Sequence, residues 1–525
     1  MTSNKFCGQW LLRFFLTACF YWVGISQGIA ITPQTGGTLI YRATDEIQDL
    51  DPAAIEDSAT FNIAGNIFEG LVRYQGETAI IEPALAHSWQ VSENGLLWTF
   101  FLRKDVIFHD NSALNAEAVL FSFLRQKDSN HPFYKAGFLK DVLFAQVKEI
   151  RIKDEYLIEF ELLRPYSPFL HVLTMPPAAI ISPGALKKNP KEFGRAPVGT
   201  GPFQVSEWTE NEFILEPFER YWGNSPKLER VVVQPAKFLK NMLLSMRQNN
   251  LHLAVNVTPQ ELLWVQGDRE IRVKKIPANQ VSFFAFNMDR KIFQDRRIRI
   301  AMQHILNKEA LVHWLWQGNA VAANSPIPPT NWSFKALEGY PRDFEKAKSL
   351  LKKAGYEKGL KLQLLVPVRR DPSWPRFFKS FILACRAVGI QVELQSLSFG
   401  DYLKAIVKQD FDLVWLTWAT DHADPDGFIW PLLHSVNADP KLLSNLAFYK
   451  NPALDRLIDR AQQEIKSRER RTEYYHRIQD LLHEESPLIP LMIPNTAYLH
   501  HRLVHNVQVS VTGRILLENI WMESE

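Results

Sequence analysis

The sequence has little cysteine, little excess charge of either sign and no long apolar run, and each shortage excludes something. Of three cysteines, only Cys385 lies beyond residues 1–30. Once that leading segment is removed no internal disulfide can form. A chain this long buries enough core to hold without one. Cys385 falls on the apolar face of a predicted helix, which reads as a buried structural thiol rather than a nucleophile. Sixty Lys and Arg face 57 Asp and Glu, a net charge of +3 at pH 7. With no long basic run, nucleic acid is excluded as a partner. There is no Gly-x-Ser-x-Gly elbow, and His483-Glu484-Glu485 lacks the second His of a zinc protease motif. Gly199-Thr200-Gly201-Pro202-Phe203 has neither the third glycine nor the Lys-Ser/Thr ending of a nucleotide loop. No repetitive or Pro/Ser-rich stretch suggests a disordered linker.

The apolar run Phe14–Ile25 is shorter than the roughly 20 residues a membrane-spanning helix needs. Lys5 and Arg13 precede it and Gly28-Ile29-Ala30 follows with small residues, so residues 1–30 read as an export signal. A rival reading takes Leu16-Thr17-Ala18-Cys19 as a lipobox with Cys19 lipidated. Phe20, Tyr21, Trp22 and Val23 carry the apolar run past that cysteine, which favours simple cleavage near Ala30.

What the chain does have is length and aromatic mass. Its 525 residues predict two or three domains. Hydrophobic residues at 46% and fifteen tryptophans imply a well-filled core. Lys361–Val368, Ile390–Leu397 and Asp412–Trp418 read as strands. The helices between them are one with Phe378, Phe381, Cys385 and Val388 on one face, stopped by Gly389, and a shorter one over Phe399–Lys408. Right-handed crossovers make such a run a parallel sheet, and ligands of open α/β sheets bind beyond the carboxyl ends of the strands. Arg370 and Asp421 then emerge on one rim, a cation and an anion. Two readings of that pair are a small zwitterion held between them and a plain salt bridge. Asp424-Pro425-Asp426-Gly427 reads as a turn. Trp415 and Trp418 are expected on the same face of their strand, with core packing the role of at least one.

Elsewhere Phe61–Leu71 shows helical spacing, Ser88–Ser92 and Leu97–Leu102 read as strands paired around Asn94-Gly95, and Asn115 can cap a helix over Ala116–Leu124. Further helices are expected over Asp295–Leu306 and Lys308–Trp316, and after Asn451-Pro452. Along this order run GGTLIYRATDEIQDLDPA, NIFEGLVRY, EPALAHSWQVSENGLLWTFFLRKDVIFHDN, PVGTGPF, ERYWGNSPKLERV, AFNMDRKIFQDRRIRIAMQHILNKEALV, NSPIPP, FEKAKSLLKKAGY and WATDHADPDGF. Taken together, these pieces resemble the extracellular solute-binding proteins of the dipeptide, oligopeptide and nickel class of ABC importers (family 5), across nearly the whole chain after residue 30.

The resemblance implies an α/β, two-lobed periplasmic-binding-protein fold with an additional inserted domain and a hinge between the lobes. Transferred to this numbering, a discontinuous first lobe combines 31–65, 196–284 and 495–525. The insert covers 66–195 and the second lobe 285–494. The implied function is that of a periplasmic, monomeric binding component that captures short peptides and delivers them to a membrane permease, with no cofactor and no metal. Asp421, in Trp418-Ala419-Thr420-Asp421, matches the residue that pairs with a peptide's α-ammonium group. Arg370 matches the residue that holds the α-carboxylate, with Arg369 as the register alternative; the planar guanidinium fork suits a carboxylate. Trp418, Thr420 and His422 complete the implied site. Thr417 stands where relatives commonly carry Gly, and His422 where many have Asn or Tyr. Other cargo on the same fold (a metal chelate, haem or an opine-like solute) is the alternative, as is a ligand sensor without transport. His422 and His434 would serve a metal chelate, although no tight His/Cys cluster accompanies them. An enzyme would use Asp421, Asp424 and Asp426 together; turn chemistry accounts for the last two.

Overall fold

The strand Leu488–His501 organises the molecule. In this computed structural model, which describes residues 32–43, 46–137, 139–235, 241–255, 257–369, 371 and 373–524, it is shared by two halves of one sheet. Its first half pairs antiparallel with Gln280–Phe286 and Ala320–Ala322. Its second half pairs antiparallel with Ile271–Pro277 and Leu253–Val255. Among the described residues twelve strands join this sheet. The export signal expected over residues 1–30, with Cys19, lies outside the described residues.

On one side of the shared strand the sheet continues through Gln280–Phe286, Leu413–Ala419, Leu360–Pro367 and Ile390–Leu397. The last three are parallel, as the strand-helix-strand run predicts. Helix Ser373–Ala387 packs Phe378, Phe381 and Cys385 against one face, and burial pushes the Cys385 thiol up, which keeps it protonated and inert. Helix Phe399–Val407 covers the other face through Tyr402 and Ile406. Trp415 belongs to the first of these cores and Trp418 packs against the second. The expectation that they share a face is therefore wrong: side chains alternate along a strand, and an offset of three residues puts them on opposite sides.

On the other side the sheet runs through Leu253–Val255, Thr38–Ala43, Arg230–Pro235, Phe213–Pro217 and Phe203–Trp208. A separate four-stranded antiparallel sheet, Ala86–Val91, Leu97–Leu102, Leu157–Leu162 and Val147–Asp154, has its own core of Phe100, Phe123, Phe160 and Phe169. The chain enters this inserted unit after helix Ser58–Ala64. That helix is shorter than the apolar spacing of 61–71 suggested. It closes at Gly65, and Ile67, Phe68 and Leu71 are buried in irregular backbone instead. Their spacing imitates a helix because this crossing touches the cores on both sides.

The return crossing explains the glycines of Gly199-Thr200-Gly201. Gly201 N–H donates to the Ile67 carbonyl (2.8 Å) and Phe203 N–H to that of Asn66 (3.1 Å). A Cβ on Gly201 would sit 2.7 Å from the Asn66 carbonyl oxygen, so the outgoing and returning strands of the crossing approach as only glycine permits.

Candidate functional site

Between the two halves of the large sheet lies a cleft of about 410 Å³. Its floor is the pair of chain crossings that join the halves, Pro277–Gln280 and Thr496. One wall comes from Glu56, Phe61 and Asn62 with Val511–Gly513, the other from Ala419, Thr420 and Asp421. The second wall is the carboxyl end of strand Leu413–Ala419, where an open sheet leaves its crevice. Asn279 locks that wall to the floor. Its side-chain amide donates to the carbonyls of Thr420 (3.0 Å) and His422 (3.1 Å).

Asp421 reaches solvent inside this cleft. The walls nevertheless remove enough water to raise its carboxyl above the ordinary range, and no cation among the described residues lies within ion-pair distance. Thr420 lies beside it, its hydroxyl turned to the His422 carbonyl (3.1 Å). Arg370 lies outside the described residues. The strand that precedes it in sequence, Leu360–Pro367, is the parallel neighbour of Leu413–Ala419, with Leu365 opposite Val414. The guanidinium of Arg369 sits 5.3 Å above the ring of buried Trp415.

The other expected residues point elsewhere. Trp418 donates its indole N–H to the Gly427 carbonyl (2.9 Å) behind the loop. His422 is buried, its Nδ1 accepts the Asp424 N–H (3.2 Å), and burial holds its pKa below the ordinary value. His434 lies apart, beside Asp455 and Asp459. Thr417 meets Ser282 across the strand pair, hydroxyl to hydroxyl at 2.7 Å.

The Asp-Pro-Asp-Gly segment is more than a turn. Asp426 opens a helix running to Leu433, and Gly427 is needed for closeness, since an added Cβ would meet Thr420 and His422. The three carboxylates part company here. Asp424 is fully buried and grips Arg471 with both oxygens, at 2.8 and 2.9 Å. Burial alone would raise its carboxyl, but the Arg471 charge outweighs that and holds it well below the ordinary range. Asp426 accepts from the Gln462 amide (3.0 Å) and the Tyr166 hydroxyl (3.3 Å). Burial, and then the Asp424 charge, push it up to about 7.

A carboxyl whose pKa is 3.8 unfolded and about 7 folded binds a proton more tightly in the native state. Its contribution to stability is constant below the unfolded value and falls as pH rises between the two values. Asp426→Asn is therefore expected to gain stability relative to wild type progressively from pH 4.5 to 7, with urea midpoints at four pH values as the readout. Parallel midpoint curves for the two proteins would contradict it.

The residues missed from sequence are Asn279, which carries no local signal, and Arg471, Gln462, Tyr166 and Tyr74 (whose hydroxyl accepts the Ala423 N–H), which reach the loop from distant segments. Of these, Tyr74 stands in the piece NIFEGLVRY, whose order in the chain is a signal but whose destination is not.

The comparisons with known proteins agree with this architecture. The family model for bacterial extracellular solute-binding proteins, family 5 (Middle), matches residues 81–440. The chain belongs to that family. This solute-binding protein is 28% identical over 512 residues to the dipeptide-binding protein of Escherichia coli (strain K12), covering 93% of this chain and 95% of the relative. A solved structure of the periplasmic binding protein DppA from Helicobacter pylori, in complex with the peptide STSA, is 30% identical with a TM-score of 0.78, covering 94% of this chain and 99% of that one. HbpA2 from Haemophilus parasuis superposes with a TM-score of 0.87 at 23% identity, covering 93% and 100%, a likeness of fold. The solute-binding protein thus has the two-lobed α/β fold with an inserted domain, and its family consists of binding proteins rather than enzymes. Among the described residues no helix is long and apolar enough to cross a membrane.

Proposed function

We propose that this protein is the periplasmic substrate-binding component of an ABC importer, capturing short peptides between two closing lobes and delivering them to a membrane permease. The observation that carries the reading is Asp421, a carboxylate in a partly desolvated cleft between the lobes with no cation among the described residues within ion-pair distance. An ammonium group placed there gains a charge-assisted bond in surroundings of reduced dielectric, where such bonds are strongest. Arg370, shortly after the neighbouring strand in sequence, is assigned the α-carboxylate, and Thr420 shapes the wall. Trp418 and His422 support the loop from behind. The relatives add weight, since two solved structures at 26–30% identity hold peptides, STSA in one and Met-Leu in the other.

The same reading divides the chain into 31–65, 196–284 and 495–525 as first lobe, 66–195 as insert and 285–494 as second lobe. Residues 1–30 serve as its export signal. It assigns no catalysis, and Asp424 and Asp426 are occupied by Arg471, Gln462 and Tyr166 rather than turned into the cleft beside Asp421. Mass spectrometry of small molecules carried through native purification tests it. Short peptides released on denaturation are expected; a metal chelate, haem or an opine in their place would overturn the peptide assignment.

A further inference from the structure

The inserted domain is mounted firmly on the first lobe. Besides the tight glycine crossing, buried Glu69 accepts hydrogen bonds from the Tyr221 hydroxyl (3.0 Å), the Trp222 indole (2.9 Å) and the Thr200 hydroxyl (2.9 Å). That arrangement ties the start of the insert to segments just beyond its end. A body so fixed moves with the first lobe.

Yet the far side of the insert also touches the second lobe, on the loop that carries Asp421. The Tyr74 hydroxyl accepts the Ala423 N–H (2.8 Å), two residues from Asp421, and shares a hydrogen bond with His171 Nδ1 (3.0 Å). His171 Nε2 faces Asp424 at 3.7 Å. The Tyr166 hydroxyl donates to Asp426, and Ser167 N–H donates to the Gln462 carbonyl at 2.7 Å.

We propose that the inserted domain is the clasp of the closed state, and that Tyr74 and Tyr166 are positioning residues holding the Asp421 loop in its ligand-facing place. Because the insert travels with the first lobe, the lobes cannot part without breaking these contacts. The same loop presents Asp421 to the cleft on one side and Ala423 and Asp426 to the insert on the other. A ligand that draws Asp421 inward therefore brings the clasp into register, and an engaged clasp fixes Asp421 for the ligand, a reciprocal coupling.

The division of charge makes such a clasp reversible. The Asp424–Arg471 pair lies wholly within the second lobe and survives opening intact, so no bare charge is stranded. What opening exchanges for water is a set of hydroxyl and amide hydrogen bonds and the partly exposed Arg164–Asp459 pair (3.2 Å), whose net values are small and compatible with repeated opening.

The inference rests on the two-lobe capture proposed above, and its test separates the two. Tyr74→Phe with Tyr166→Phe removes only two hydroxyls and keeps both rings. Small-angle X-ray scattering without any peptide is expected to show the variant expanded relative to wild type. Stopped-flow fluorescence with Ala-Ala is expected to show dissociation accelerated about tenfold or more, as loss of one or two hydrogen bonds of the bound state implies, with the association rate little changed. A purely structural loss would lower the unfolding midpoint without this split between rates. Superimposable scattering curves, or equal dissociation rates, would overturn the clasp. If wild type binds no dipeptide, the peptide assignment fails and the scattering comparison alone decides the clasp.

Discussion

Asp421→Asn weakens the binding of a dipeptide by about 2–5 kcal/mol, the cost of removing one partner of a desolvated charge pair. The size follows from the surroundings. The carboxylate stands in a cleft between two lobes, its pKa is raised by burial, and no described cation neutralises it. A ligand ammonium group therefore meets a carboxylate whose water has already been partly stripped. Asparagine keeps the shape and the acceptor oxygen but not the charge. Titration calorimetry of both proteins with the same dipeptide reads the difference, and unchanged affinity would remove Asp421 from the site.

The second large effect is on stability. Arg471→Met leaves Asp424 fully buried with no cation to balance it, and is expected to destabilise the fold by about 3–5 kcal/mol. Asp424→Leu combined with Arg471→Met should recover much of that loss, because a matched apolar pair strands no charge. Urea unfolding of the three proteins measures it. Equal losses in the single and double variants would show that the guanidinium matters chiefly for its packing on Trp332 and Tyr475.

Much of the second lobe was legible residue by residue. Apolar runs over residues 364–367 and 413–415 are buried on both faces, as parallel strands require. The buried stripe Phe378, Phe381 and Cys385 repeats at helical spacing. Asn451 caps its helix with Pro452 at the first position. Where spacing misled, over Phe61–Leu71, the apolar residues served two different cores rather than one helix face.

The sequence by itself determined the strand and helix order of the second lobe, the place of Asp421 just past a strand end and, through the order of its motifs, the family. These rest on local periodicity and turn chemistry, which neighbouring residues carry between them. Only the tertiary structure decided that Asp421 faces a cleft while Asp424, three residues on, is sealed against Arg471, and that Tyr74 of the insert reaches the same loop. The Tyr74–Ala423 and Asp424–Arg471 contacts join segments far apart in the chain, and no short window of sequence contains them.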